Sequence, residues 1–166
     1  VATLVRPLKN NNLNNLVKSS RERFGLKAFG REDGGILKAS RYLRDGKVCA
    51  LLFDQNAGHA GTRMQFMGRE CSCTTLPDIL NKRFKPLILV VYTRRTGFWR
   101  SLIDAEVLEV EPSRESAIEK ANHWLEDKLR TDENLCTSWL WLHRRWREGA
   151  GKAPRESISK SDKDEK

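Results

Sequence analysis

Two unbroken runs of apolar residues limit most strongly how this chain can fold: VCALLF at residues 48–53 and LILVVY at residues 87–92. The first is typical of a strand buried on both faces of a parallel sheet, and the second is the strongest strand pattern of the chain. Helical patterns alternate with these strands, at residues 10–24, 34–45, 74–84, 113–130 and 135–147. This alternation predicts an α/β fold, with a mostly parallel central sheet flanked by helices.

The length and the end of the chain favour a single domain. With 166 residues and 39% hydrophobic side chains, the chain can bury one core of its own. Residues 152–166 consist mostly of Ser, Lys, Asp and Glu and contain no aromatic residue, a composition that is typical of disorder. We therefore predict one domain over residues 1–147 and a disordered polar tail over residues 148–166.

The charge of the chain narrows the class of partner. Lys and Arg outnumber Asp and Glu by 31 to 22, so the formal net charge is +9. A balance of this kind favours anionic partners such as acidic lipid headgroups, phosphorylated substrates, an acidic carrier protein or nucleic acid. No run of apolar residues in the sequence approaches the length of a membrane-spanning helix.

The four cysteines predict neither a disulfide framework nor a metal site. Cys71 and Cys73 form a C-x-C pattern, but no second pair of Cys or His stands at the spacing of metal ligands. We expect these two residues to lie in a loop with reduced thiols, and we expect the protein to need no cofactor.

Three further stretches stand in a fixed order: RPLKN at residues 6–10, DQN with a glycine-bearing continuation at residues 54–68, and WLHRRW at residues 141–146. Together they resemble the bacterial lipid A biosynthesis acyltransferases, which add secondary acyl chains to lipid A. The resemblance extends from residue 1 to about residue 147. Near relatives of that family acylate mannosylated phosphoinositides. The resemblance implies a lysophospholipid acyltransferase-like fold and an O-acyltransferase activity.

The resemblance also implies a general base that this chain lacks. In the family, acyl transfer from a thioester to a hydroxyl uses a His-x-x-x-x-Asp/Glu pair that precedes the RPLKN element. His59 and His123 have no acidic residue five positions further on. His143 and Glu148 match the spacing, but they lie at the WLHRRW element, and we interpret the match as coincidence. We therefore expect that the N-terminal part of the domain is missing and that this fragment is inactive.

Arg6 and Asp54 are the residues to which the resemblance gives catalytic roles. Each follows a predicted strand, at residues 1–5 and 48–53, and α/β folds place ligand sites at the ends of such strands. The guanidinium of Arg6 suits a phosphate or a developing oxyanion, and the carboxylate of Asp54 suits holding Arg6 or orienting a hydroxyl. A surface arginine that ends an edge strand and an aspartate that caps a turn are the plain structural alternatives.

Six more residues are predicted to contact or shape the substrate site: Lys9, Gln55, Gly58, Gly61, Arg144 and Arg145. Lys9 suits a phosphate, while Gln55 and the two glycines would shape the loop after Asp54. The arginine pair stands among tryptophans, which suits a membrane interface with tryptophan at the headgroups and arginine on the phosphates. Equally, Trp141 and Leu142 could pack their helix on the sheet and leave the arginines in solvent.

A turn at Thr96 and Gly97 follows the second apolar run and leads into a half-exposed strand at residues 99–110. Around this turn, Arg94, Arg95 and Arg100 surround Phe98 and Trp99. Contact with anionic lipid and an ordinary hairpin tip explain this composition equally well.

The function we expect is acyl transfer from acyl carrier protein or coenzyme A to a hydroxyl of a lipid A precursor, an anionic glycolipid. The expected place is the cytoplasmic face of the bacterial inner membrane, with this segment peripheral to the membrane surface. Two alternatives stay open: a phosphoinositide mannoside acyltransferase, and a non-catalytic basic module that binds anionic membranes or nucleic acid. The basic residues are spread along the chain and form no nucleic-acid motif, so we expect no nucleic acid partner.

Overall fold

The computed structural model describes residues 1–5, 7–30, 34–111, 114–132 and 145–146. Within them the α/β prediction is confirmed, with a parallel sheet of three strands, two antiparallel hairpins and four α-helices. The strands are β1 (Ala2–Val5), β2 (Lys27–Gly30), β3 (Cys49–Ala50), β4 (Thr62–Phe66), β5 (Arg69–Cys73), β6 (Leu89–Gly97) and β7 (Arg100–Val107). The helices are α1 (Asn11–Arg23), α2 (Gly35–Arg44), α3 (Leu76–Phe84) and α4 (Ala117–Thr131).

The parallel sheet has the strand order β2-β1-β3. Ala2 and Thr3 of β1 pair with Cys49 and Ala50 of β3, and β1 pairs along its whole length with β2 on the other side. Parallel neighbours need a crossover connection, which α1 supplies between β1 and β2. The carboxyl ends of β1 and β3 therefore lie at the same edge of the sheet.

Side-chain caps set the start of two helices. The side chain of Asn10, where the helical pattern at residues 10–24 begins, accepts a hydrogen bond from the Leu13 backbone N–H at 3.1 Å and caps α1. The hydroxyl of Ser116 does the same for the Glu119 N–H of α4, at 3.2 Å. The helical pattern at residues 113–130 thus corresponds to α4, which begins at Ala117 with Ser116 as its cap.

The two hairpins differ in their turns. Met67 and Gly68, with φ angles of 51° and 73°, join β4 to β5, and positive φ at both positions matches the twist of the flanking strands. Strands β6 and β7 pair from Leu89–Val107 to Gly97–Arg100, with an irregularity before the turn. A turn thus follows the second apolar run, but it lies at Phe98 and Trp99 and not at the predicted Thr96 and Gly97, because Gly97 still pairs with Arg100 across the hairpin.

The core lies between α4 and the β4–β5 hairpin. Its buried members are Phe66, Cys71, Cys73, Ile118, Leu125 and Leu129. On the other hairpin, the Tyr92 ring meets Trp124 of α4 edge-on, with the ring centroids 5.5 Å apart. Helix α4 therefore contacts both hairpins, and its apolar face supplies Ile118, Leu125 and Leu129 to the core.

Two local predictions are wrong. The apolar run at residues 48–53 forms only the short strand β3 and is not buried on both faces, since Leu52 is 71% exposed. Pairing with β1 covers only Cys49 and Ala50, so Leu52 lies beyond the sheet. Cys71 and Cys73 lie on the buried strand β5 and not in a loop, because β4 pairs with it residue by residue.

Some predictions fall on residues that the structure does not describe. The predicted helix at residues 135–147 lies outside them except for Arg145 and Trp146, and so does the predicted tail at residues 148–166. The domain boundary near residue 147 accordingly stays a prediction. Over the described ranges, no helix has the length and apolar character needed to span a membrane.

Candidate functional site

The candidate site lies at the carboxyl-terminal edge of the parallel sheet. The prediction that Arg6 and Asp54 follow neighbouring strands rests on β1 and β3, which are direct parallel neighbours. Arg6 itself lies outside the described residues. Asp54 is half-buried and lies within the loop that leads from β3 to the β4–β5 hairpin. The prediction that it directly follows a strand is wrong, because β3 already ends at Ala50. Contact between the two side chains stays a prediction.

Hydrogen bonds fasten the loop after Asp54 to strand β5. The backbone N–H of Ala57 donates to the carbonyl oxygen of Ser72 at 3.1 Å. The Ser72 hydroxyl donates in turn to the carbonyl oxygen of Gly58 at 2.5 Å. The side-chain oxygen of Asn56 accepts from the Gly58 N–H at 2.7 Å. Because Ser72 is buried, the shape of this loop depends on the core of the protein.

The two glycines of the loop answer different demands of its backbone. Gly58 has a φ of 65°, in the left-handed region where residues with a side chain are strained. A Cβ on Gly61 would stand 2.2 Å from the Ser72 Oγ and 2.6 Å from the Cys73 carbonyl oxygen. Both glycines thus permit the close approach of loop and strand, while their role toward a substrate stays a prediction.

The side chain of Arg145 is buried beneath this loop, with 1% of its surface exposed. Its Nη1 donates to the carbonyl oxygen of Phe53 at 2.8 Å and lies 3.5 Å from that of Gln55. Its Nη2 donates to the Asn122 Oδ1 of α4 at 2.6 Å. The guanidinium also lies over the Phe66 ring, 4.9 Å from its centroid. Carbonyl and amide oxygens are neutral, so these bonds engage both Nη groups without cancelling the charge of the guanidinium.

Two more hydrogen bonds connect the WLHRRW element to the rest of the protein, one through the backbone of Arg145 and one through the side chain of Trp146. Asn56 Nδ2 donates to the Arg145 carbonyl oxygen at 3.0 Å. The Trp146 Nε1 donates to the carbonyl oxygen of Phe66 at 3.1 Å, and the two rings lie 5.9 Å apart. Arg145 and Trp146 therefore bind the loop after β3 and strand β4.

This position differs from both expectations for Arg145, which placed its guanidinium on lipid phosphates or in solvent. The side chain lies at neither place because its donors point into the core. By bonding the carbonyl groups of Phe53 and Gln55, it holds the backbone on both sides of Asp54. Arg144 lies outside the described residues, and the substrate contact assigned to it stays a prediction.

The remaining predicted residues fall into two places. Gln55, Gly58 and Gly61 lie in one loop with Asp54, and the Gln55 side chain is exposed. Lys9 is also exposed, but it lies in the connection between β1 and α1. That connection leaves the same edge of the sheet as the Asp54 loop, which agrees with a shared site.

The two cysteines of β5 belong to the core under the site. The Cys71 and Cys73 sulfur atoms are 3.6 Å apart, and both residues are buried. Burial raises the pKa of Cys71 to about 11, and the positive charge of Arg145 opposes this rise only in part. The Cys71 thiol is therefore protonated at neutral pH. Among the described residues, no cluster of three or more His, Cys, Asp or Glu side chains is arranged to hold a metal ion.

Sequence reasoning missed the buried polar residues that fasten the site. Asn122 is 1% exposed and Ser72 is 2% exposed. Ser72 donates to the Gly58 carbonyl oxygen in the loop, and Asn122 accepts from Arg145, which lies beneath that loop. One signal was present in the sequence: Asn122 stands between Ile118 and Leu125 on the apolar face of α4. A buried amide needs a partner, so its place predicts a polar group from elsewhere in the chain.

A comparison with protein families covers almost the whole chain. The family described as bacterial lipid A biosynthesis acyltransferase matches residues 1–148. No curated protein matches the chain at the required significance. The range matched by the family includes every residue of the candidate site, from Arg6 to Arg145.

Proposed function

Because the chain belongs to the bacterial lipid A biosynthesis acyltransferase family, we propose that it transfers a fatty acyl chain from an acyl thioester to a hydroxyl of a lipid A precursor. The family match supports an acyltransferase with an acyl donor and a lipid acceptor. Acyl carrier protein and coenzyme A are both anionic donors, which agrees with the net charge of +9. The proposed place is the cytoplasmic face of the bacterial inner membrane.

The observation that carries the proposal is the family match over residues 1–148. The fold supports it at one point, since the parallel pairing of β1 and β3 brings two predicted site segments to one edge of the sheet. In α/β folds, that edge is where ligands bind.

We assign the catalytic roles to Arg6 and Asp54. The Arg6 guanidinium stabilises the negative charge that develops during attack on the thioester, and the Asp54 carboxylate orients Arg6 or the acceptor hydroxyl. Lys9 contacts a phosphate of the acceptor. Arg144 contacts the lipid, whereas the buried Arg145 acts by positioning the backbone beside Asp54.

Three more residues complete the proposed site. Gln55, Gly58 and Gly61 lie in the loop with Asp54 and set its shape beside the substrate. They have backbone or conformational roles, so we expect their substitution to alter substrate binding more than the chemical step.

We propose none of the three histidines of this chain as the general base. His59 and His123 are both exposed, and neither has an acidic residue five positions further on. His143 and Glu148 have the spacing but belong to the region of the element that holds Arg145. We therefore expect no turnover from this chain alone.

The test is an acyl-transfer assay with the protein as its native gene encodes it, expressed in bacterial membranes. Transfer from acyl carrier protein to a Kdo-bearing lipid A precursor is expected, with the same assay run on coenzyme A thioesters. Asp54→Asn should reduce kcat/KM by about a hundredfold or more, because it removes an orienting charge from the site. Asp127→Asn, on an exposed position of α4, is the matched control and should leave the rate unchanged.

Three results would contradict the proposal. Folded membrane-bound protein that transfers no acyl chain would exclude the activity, and transfer only to mannosylated phosphoinositides would favour the related acyltransferases. Turnover by the isolated chain would make His143 the candidate base. Salt-sensitive binding to duplex DNA without any transfer would favour the basic binding module.

A further inference from the structure

Exposed apolar side chains concentrate on the β6–β7 hairpin. Of the eighteen large apolar side chains that are exposed in the described ranges, eight lie between residues 87 and 107. Phe98 and Trp99 form the turn of this hairpin and are 79% and 88% exposed. Their rings meet edge-on, with centroids 4.9 Å apart. Two large aromatic side chains at one exposed turn mark a surface that meets an apolar or interfacial partner.

The hairpin has one covered and one open face. Tyr92 lies on the covered face, against Trp124 of α4. The strand register puts Leu89 opposite Val107 and Thr93 opposite Ile103 on the open face. Leu89, Val107 and Ile103 are 53%, 56% and 68% exposed. The open face thus continues the apolar surface of the turn along the strands.

Positive charge surrounds the aromatic turn. Residues 93–103 contain three arginines and no acidic residue. Arg94 is held on the covered face by ion pairs of 3.2 and 3.3 Å with two aspartates. Arg95 and Arg100 are exposed beside the turn. The hairpin tip, which we define as residues 95–100, therefore presents two arginines and two aromatic rings together.

We propose that the hairpin tip docks on the surface of an anionic lipid bilayer. Phe98 and Trp99 enter the interfacial layer, where aromatic rings bury apolar surface beside the headgroups. Arg95 and Arg100 contact lipid phosphates, which accept the planar fork of a guanidinium. A second copy of the chain fits this surface poorly, because two tips would bring like charges together. The docking goes beyond acyl transfer and does not require the chain to be active.

Vesicle binding by this 166-residue chain tests the proposal. The chain should float with vesicles of equimolar phosphatidylcholine and phosphatidylglycerol and should bind vesicles of phosphatidylcholine alone far more weakly. The double variant Phe98→Ser and Trp99→Ser should weaken partitioning into the anionic vesicles by about tenfold or more. Because both side chains are almost fully exposed, circular dichroism should show an unchanged fold.

Matched controls separate the tip from the rest of the surface. Phe24→Ser removes an aromatic ring that is 83% exposed at the end of α1 and should leave partitioning unchanged. Arg95→Gln and Arg100→Gln should each weaken binding about fivefold, from about 1 kcal/mol per arginine at an anionic surface. Arg130→Gln removes the same charge from an exposed position of α4 and should have less effect than either.

The depth of the tip gives a second readout. Brominated lipids quench tryptophan fluorescence at the interface, and Trp99→Phe should remove most of that quenching. Unchanged quenching, equal partitioning of the tip variants, or no binding to anionic vesicles would overturn the proposal. So would a dimer that the serine variants dissociate, or displacement from vesicles by inorganic phosphate at constant ionic strength. None of these results depends on acyl transfer.

Discussion

The β4–β5 and β6–β7 hairpins have the same architecture but opposite surroundings. In β4–β5, Phe66, Cys71 and Cys73 are at most 1% exposed, because α4 and the side chains of Arg145 and Trp146 pack against them. In β6–β7, one face meets α4, while Ile103 on the other face is 68% exposed. The first hairpin fixes the candidate site loop, and the second leaves an apolar surface open.

The difference shows that strand pattern and strand environment are separate properties. Both hairpins alternate side chains between two faces, as every strand does. What differs is what packs on them in the described part of the chain. Helix α4, Arg145 and Trp146 contact the core residues of β4–β5, and α4 contacts one face of β6–β7. Stability should therefore respond far more to substitutions in β4–β5 than in β6–β7.

A pair of phenylalanines gives the largest contrast between the hairpins. Phe66→Ala should lower the free energy of unfolding by about 4 kcal/mol, because it empties a fully buried site next to Arg145 and Trp146. Phe98→Ala, at the exposed turn, should change it by less than about 0.5 kcal/mol. Urea unfolding measures both variants. Similar losses for the two would remove the distinction between the hairpins.

Arg145 should give the next largest effect. Arg145→Met should lower the free energy of unfolding by about 3 kcal/mol, because the Phe53 carbonyl and the Asn122 amide lose a charged donor inside the protein. Arg145→Lys should recover little, since one ammonium group cannot reproduce the two-armed contact. Arg130→Met, on the exposed side of α4, should stay within about 0.5 kcal/mol of the parent. An Arg145→Met protein of parental stability would show that the buried guanidinium does not hold the loop.

The glycines allow a smaller contrast in backbone approach. Gly61→Ala should cost about 2 kcal/mol of stability, because its new methyl group would collide with Ser72 and with the backbone of β5. Gly97→Ala, in the other hairpin, places its methyl group at an ordinary distance of 3.6 Å from Arg100. It should be tolerated in thermal denaturation. Equal shifts in Tm for both variants would mean that the loop yields freely to the added group.

The smallest expected effect concerns the ion pair on the covered face of β6–β7. Hydrogen bonds from Lys128 and Trp124 lower the pKa of Glu106, and the bond to Glu106 raises the pKa of Lys128. The contribution of Glu106 to stability is present above its ordinary pKa of 4.5 and is lost as the pH falls through its lower pKa in the folded protein. The Lys128 contribution is present below 10.5 and is lost as the pH rises through the higher folded value.

Glu106→Gln should therefore lower Tm slightly between those two limits and leave it unchanged outside them. The difference should shrink at high salt, because both groups are accessible to solvent. Glu109→Gln, at an exposed position just after β7, is the control. A Tm difference that does not vary with pH would assign the effect to packing.

The sequence predicted the elements more accurately than their surroundings. The helix pattern at residues 10–24 and the parallel strands β1 and β3 follow from local patterns, and the structure contains them. The hairpin turn lies two residues later than its pattern predicts. The prediction that the run at residues 48–53 is buried is wrong, because burial depends on neighbouring elements that the run itself does not specify.

The candidate site divides in the same way. Strand ends and the family resemblance predict the position of Asp54, but nothing local indicates that Arg145 lies beneath it. Asp54 and Arg145 are far apart in the sequence. Their segments meet only because the WLHRRW element packs on the protein, as the bonds of Arg145 to Phe53 and of Trp146 to Phe66 show. An exposed and a buried arginine have the same appearance in a basic, tryptophan-rich stretch.

Residue-resolved amide hydrogen exchange, with and without anionic vesicles, tests most directly whether one hairpin holds the site loop while the other meets lipid. Without vesicles, the amides of Cys71 and Cys73 should exchange only through global unfolding, and those around Trp99 should exchange far faster. Vesicles should slow exchange around Trp99 and leave β5 unchanged. Equal protection of the two hairpins, or a vesicle effect confined to β4–β5, would contradict the account.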